Sequence, residues 1–127
     1  MLREAESRIS GFLRRFISPL ILLVDGEHEE SIRQGTELYA SFPDPEGRLH
    51  FARNLAWAGH PDRALAVIEQ IASSYAALAA PGCDPWLASV DTTERYRQIY
   101  DRTLERRNAH RERFRAHPAS KVIGQWS

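Results

Sequence analysis

Gly26 and Gly59 stand 33 residues apart in matching surroundings, and this spacing constrains the chain more than any other feature. Leu22 and Leu55 lie four residues before them, Ser31 and Ala64 five after, and Leu38 and Ile71 twelve after. Glycine is the usual residue where a helix ends in a left-handed cap, so each marks a turn between two helical segments. Apolar residues recur at helical spacing on both sides of each turn. One helix pair cannot bury its apolar face alone, so pairs of this kind stack on one another. The expected fold is all-α, with antiparallel helix pairs stacked as a short superhelix of about five helices, the last of them closing the stack.

Taken in order, residues 2–17 alternate charge with Ile9, Phe12, Leu13, Phe16 and Ile17, one amphipathic stripe. Pro19 has no N–H to donate and should kink or restart that helix. Leu20–Val24 then forms a buried turn. A second helix runs from about Glu27 to Phe42, with Glu27, Glu29 and Glu30 at its positive end. Its stripe is Ile32, Leu38, Tyr39 and Phe42, with Ser31 and Gly35 as small positions. Asp44 reads as an N-cap with Pro45 in the first helical position. The third helix runs to Ala58 with Leu49, Ala52, Leu55 and Ala56 inward. Gly59-His60-Pro61 turns the chain, and the fourth helix places Ala64, Ile68, Ile71, Ala72 and Tyr75 on one side and is stopped by Pro81-Gly82.

The connector 81–90 carries Asp84-Pro85, the start of a single turn that offers Trp86 and Leu87 as plugs. Asp91-Thr92-Thr93-Glu94 suits a capping box for a fifth helix whose buried stripe is Tyr96, Ile99, Tyr100, Thr103 and Leu104. Beyond Glu105 the apolar pattern dissolves and the helix is expected to project or fray. This gives one domain over residues 1–117, with units at 12–44 and 45–80, a capping helix over 91–117, and a flexible tail over 118–127.

The formal net charge is zero, so no global field favours nucleic acid or an acidic membrane. Locally, acids gather over residues 25–46 and arginines over residues 91–127. The longest apolar run, Phe16–Val24, is far shorter than the roughly 20 residues of a membrane-spanning helix, and no membrane association is expected. The single cysteine, Cys83, allows no intramolecular disulfide and suits a reducing cytoplasm, the expected location. His28-Glu29-Glu30-Ser31-Ile32 opens like a zinc-protease motif, but Ile32 stands where the second histidine is needed, so no metal is expected. No phosphate-cradling loop and no activated nucleophile occurs, so the chain reads as non-catalytic and without a cofactor.

The residues Ala52, Leu55, Gly59, Ala64, Ile68 and Ile71 together resemble the tetratricopeptide repeat, a helix pair of nearly this length. The first copy keeps Leu22, Gly26, Leu38 and Pro43. It departs from the family at Pro19 and Gly35, where a small helix former and an aromatic are usual. The block FARNLAWAGHPDRALAVIEQIA followed by CDPWLASVDTTERYRQIYDR is similar to the final repeat and closing helix of bacterial multidomain regulators. By that likeness the Asp84–Leu87 turn caps the last repeat, and the chain would be the C-terminal part of such a regulator.

The resemblance implies a protein–protein interaction module whose ligand, a peptide or another protein, lies along the first helix of each pair. Mapped onto this chain, that face is Leu49, Arg53, Ala56 and Trp57, with Arg53 open to a carboxylate and Trp57 offering a flat apolar contact. The opposing expectation is that Trp57 packs on the first helix pair or the fifth helix. A rival site uses Arg102, Arg106, Arg107 and Arg111 against nucleic-acid phosphates. Against it, Asp101, Glu105 and Glu112 interleave at spacings that allow pairing within the helix. Two further expectations concern a second copy: docking of the arginine helix on the acidic 25–46 segment, and self-association through the N-terminal helix.

Overall fold

The computed structural model describes residues 11–42, 44–74 and 78–123, with the side chains of Phe12 and Ile123 excepted. Helices α1 (Gly11–Val24) and α2 (His28–Ser41) form one antiparallel pair, and α3 (Pro45–Trp57) and α4 (Pro61–Ile71) form the next. A 3-10 turn (Pro85–Leu87) lies against α3, the long α5 (Glu94–Ala116) packs on α4, and a short α6 (Ser120–Ile123) follows. No strand occurs among the described residues. The chain is all-α, with neighbouring helices packed in pairs.

The two pairs are built alike. Gly26 and Gly59 have φ of 84° and 86°, the left-handed region that a side chain would strain. In the first copy Gly26 N donates to Leu23 O at 3.2 Å and Glu27 N to Leu22 O at 2.8 Å. In the second, Gly59 N donates to Ala56 O at 3.2 Å and His60 N to Leu55 O at 2.9 Å. Both are Schellman closures, which satisfy the last carbonyls of α1 and α3. The following helices also start alike, with Ser31 N on Glu27 O and Ala64 N on His60 O, both at 3.0 Å.

Small residues set the close approach within each pair. Ala52 and Ala64, both fully buried, bring α3 and α4 together. The corresponding positions in the first pair are Pro19 and Ser31. The Ser31 hydroxyl donates to Pro19 O at 2.6 Å. Pro19 therefore neither breaks nor restarts the helix, and α1 runs through it from Gly11 to Val24. The proline sits buried against α2 and takes Ser31 as its partner. The expected burial of Leu20–Val24 holds only for Ile21 and Leu23, whereas Leu20 and Val24 are exposed, as is Leu13. Ile9 lies outside the described residues.

The core is centred on α3 and α4, not on a single inner face. Leu49, Ala52, Leu55 and Ala56 are buried as expected, and Gly47 and Phe51 join them because α3 is flanked on several sides. Gly35 belongs to this arrangement. A Cβ there would lie 2.7 Å from Cε2 of Phe51, whose ring stacks on Tyr39 with centroids 5.4 Å apart. The aromatic missing from the Gly35 position thus reaches it from α3.

Three boundaries differ from expectation. Helix α4 ends at Ile71, well before Pro81; the Ser73 and Ser74 hydroxyls bond back to Gln70 O and Ile71 O, competition that favours turns over helix. Tyr75 lies outside the described residues. Leu65 faces inward with Ala64, Ile68, Ile71 and Ala72. Helix α5 is capped by Thr93, whose Oγ1 accepts from Tyr96 N at 3.3 Å, while Asp91 turns into the core. The segment expected as a tail carries the short α6, and residues 124–127 lie outside the described residues.

Tyr96 ties the closing helix to the stack. It is fully buried, and its hydroxyl donates to Ala79 O at 2.8 Å. Burial first, then the nearby Asp91 and Asp84 carboxylates, push its phenol up to about 12 from 10.0. A raised pKa favours the neutral phenol in the folded state, so this contribution is intact below pH 10 and is lost as pH rises through about 12. The loss amounts to about 2–3 kcal/mol. Tyr96→Phe should cost about 1 kcal/mol at neutral pH, through the lost hydrogen bond, yet move the alkaline unfolding midpoint upward. Circular dichroism against pH checks this; an unmoved alkaline limb would contradict it.

Candidate functional site

A cleft of about 440 Å3 opens between the first helices of the two pairs. Phe16 and Leu20 of α1 and Tyr39 of α2 form one wall, and His50, Arg53 and Asn54 of α3 the other. Asp84 and Trp86 close the end. The spacing of Phe16 to Leu20 and of His50 to Asn54 is one helical turn, so each helix presents a single edge to the cleft. Burial, with a smaller push from Asp44, raises the Tyr39 phenol above its usual range.

The polar floor of the cleft is built on an ion pair between Arg53 and Asp84. Asp84 is buried, and its Oδ2 accepts from Arg53 Nε at 2.8 Å while Oδ1 accepts from Trp86 N at 3.0 Å. Arg53 Nη1 lies 3.3 Å from His50 Nδ1. Asp84 N in turn donates to Asp91 Oδ2, which also accepts from Gly82 N at 3.0 Å. These contacts fold the 82–91 loop around two buried carboxylates. Asp91 Oδ1 is buried without a hydrogen-bond partner.

Of the four residues expected on the peptide face, two are core. Leu49 and Ala56 are buried, so no ligand reaches them; α3 turns that edge toward its neighbours in the stack. Arg53 does line the cleft, but Asp84 holds its guanidinium through Nε. Trp57 remains exposed at 56% and meets Trp86, 37% exposed, in a tilted ring contact with centroids 5.0 Å apart and 42° between the planes. Of the two expected plugs only Leu87 is buried.

The four arginines of the rival site are divided. Arg106 Nη1 donates to Ala72 O and so covers the end of α4. Arg107 is half-buried, with its Nε buried and unpartnered. Arg102 donates from Nε to Gln98 O at 3.3 Å and stands 3.6 Å from Glu69. Glu69 is bound at 2.8 Å by Arg95, whose hydrogen bond holds its carboxyl below the usual range. Arg111 is exposed on a half-helix that stays helical to Ala116 and does not fray. The acidic stretch is partly neutralised within α2, where Arg33 bridges Glu30 and Glu37 and holds the Glu30 carboxyl down at about 2.

Phe16, Leu20, Tyr39, His50, Asn54, Asp84 and Trp86 were not singled out as ligand-facing by sequence reasoning. The turn-spaced pairs on the two first helices, and the Asx-Pro start at Asp84, are the signals that point to them. Among the described residues no group of three or more potential metal ligands occurs, and no helix is long and apolar enough to cross a membrane. No protein-family model, curated protein or solved structure matches this chain.

Proposed function

We propose that the chain is a non-catalytic protein–protein interaction module of the tetratricopeptide type, and that the α1/α3 cleft receives an extended peptide segment. The observation that carries this reading is the character of the cleft. The α1/α2 wall (Phe16, Leu20, Tyr39) and the Trp86 end are aromatic and aliphatic, the α3 wall is polar, and its one arginine is already paired with Asp84. Such a surface fits a largely uncharged, apolar segment, whose aliphatic or proline side chains would lie between Phe16, Tyr39 and Trp86. The position of the cleft along the first helix of each pair supports the repeat reading, as do the matched 33-residue closures. The likeness of the Asp84–Leu87 turn to the end of regulator arrays supports placing the chain at the C-terminal end of such an array.

The test is selection of peptides from a displayed random library, followed by calorimetry on the winners. Binding should change less than about threefold between low and high salt, because no net ion pair forms. Trp86→Ala and Trp57→Ala should each weaken it about tenfold or more, as loss of an aromatic anchor does. A steep salt dependence, abolished by Arg107→Ala/Arg111→Ala instead, would replace this reading with nucleic-acid or polyanion binding through α5.

A further inference from the structure

We infer that the projecting half of α5 binds double-stranded DNA, seated in the major groove through arginine–phosphate contacts. From Asn108 to Ala116 every residue of this helix is exposed. Residues 106–116 carry five arginines against Glu112 alone, a local excess of positive charge in a chain whose net charge is zero. Arg106 and Arg115 are occupied, on Ala72 O and on Glu112. Arg111 and Arg113 form no hydrogen bond or ion pair among the described residues. None of these arginines lines the peptide cleft, so the inference stands apart from that reading.

The angular order of the side chains identifies the occupant. At 3.6 residues per turn, Arg111 and Arg113 stand about 80° to either side of a line running between His110 and Phe114. Arg107, whose Nε has no partner, lies on the Arg111 flank. The acids of α5, Glu94, Asp101, Glu105 and Glu112, fall within about 40° of one another on the opposite side of the helix. The free face therefore has a centre without acid and a guanidinium on each flank. That pattern matches a groove between two phosphate strands, since a helix is about 10–12 Å across and the major groove of B-form DNA about 12 Å wide. An acidic peptide would be met by a single row of arginines, not by two flanks. An anionic membrane would be met by an apolar face, whereas Phe114 is the one large apolar residue between Arg106 and Ala116. Guanidinium groups also suit phosphate, which they hold through two parallel N–H donors. The base of the projection is fixed, because Tyr96 and Ile99 are buried and Arg106 covers the end of α4. Binding that neutralises two or three phosphates is salt-dependent and carries little sequence information.

Fluorescence anisotropy of the full chain with a labelled, mixed-sequence DNA duplex tests this. Affinity should fall about tenfold to fortyfold between about 50 and 200 mM salt, a slope set by two or three phosphate contacts. Arg111→Ala/Arg113→Ala should weaken binding at least about tenfold at the lower salt and flatten the slope by about two. Helix content should stay unchanged, because both side chains are exposed. Arg48→Ala/Arg63→Ala removes the same charge from α3 and α4 and should change affinity less than about threefold. An RNA duplex, whose deep and narrow major groove admits no helix, should bind more weakly. No binding to DNA at the lower salt, an α5 double variant that binds like the wild type, or equal binding to the RNA duplex would overturn the inference. Tighter binding to poly-glutamate than to DNA would overturn it in favour of an acidic protein partner, and tighter binding to phosphatidylserine vesicles in favour of a membrane surface.

Discussion

Replacing Asp84 by alanine should destabilise the fold by about 3–5 kcal/mol, read as a lower urea midpoint by circular dichroism at unchanged slope. The reason lies in what the carboxylate satisfies. Oδ2 takes the Arg53 Nε proton at 2.8 Å and Oδ1 takes the Trp86 backbone N–H at 3.0 Å, both beside the core residue Leu87. Removal leaves a guanidinium with about a quarter of its surface exposed and no counter-charge, and it removes the cap of the Pro85–Leu87 turn. Breaking one side of a buried pair is expensive because the remaining charge stays out of water. For a domain whose whole stability is about 5–15 kcal/mol, this is a large fraction. Arg53→Met should cost a comparable amount, because it leaves the more deeply buried Asp84 carboxylate without its counter-charge even though Asp84 keeps the Trp86 N–H. A loss below about 1 kcal/mol for Asp84→Ala would mean that the pair is solvated and the floor of the cleft unfixed.

Leu55→Ala should cost about 2–5 kcal/mol, whereas Leu22→Ala should cost less than half as much. The two leucines hold the same place 33 residues apart, and each accepts the closing bond of its Schellman turn. Their packing differs. Leu55 is 1% exposed in the centre of the core cluster, while Leu22 is half-buried on the outer pair and outside that cluster. The backbone role is untouched by either substitution, so the difference isolates burial. Thermal or urea unfolding of the two variants measures it. Equal losses would contradict a stack whose core is centred on α3 and α4.

Much of this architecture is legible in the sequence because it is local. Gly26 and Gly59, Pro45 after Asp44, and the turn-spaced apolar residues of α2 to α5 act within a few residues of themselves. Their consequences appear where expected. What was not legible depends on long-range placement. Phe51 fills the space over Gly35, and Ser31 meets the Pro19 carbonyl across the α1–α2 turn. Asp84 reaches back 31 residues to Arg53. Nothing in the local pattern of either residue announces that pairing, and reading Arg53 as open to a ligand carboxylate followed from missing it. Leu49 and Ala56 were assigned to a ligand face because a repeat helix was treated as one-sided. In so short a stack, α3 touches α2, α4 and the 3-10 turn together, and buries both. The α5 arginines show the converse: composition suggested a single basic face, whereas Arg106 points at the end of α4 and Arg111 at solvent.

The most direct measurement is a backbone-amide NMR titration of the 127-residue chain with a library-selected peptide. The account predicts shift changes concentrated along the cleft, at Phe16, Leu20, Tyr39, His50, Asn54 and Trp86. The indole signals of Trp57 and Trp86 should move with them, and residues 107–116 should stay still. Changes gathered instead on Arg111 to Arg115, or none along the cleft from a peptide that binds, would contradict it.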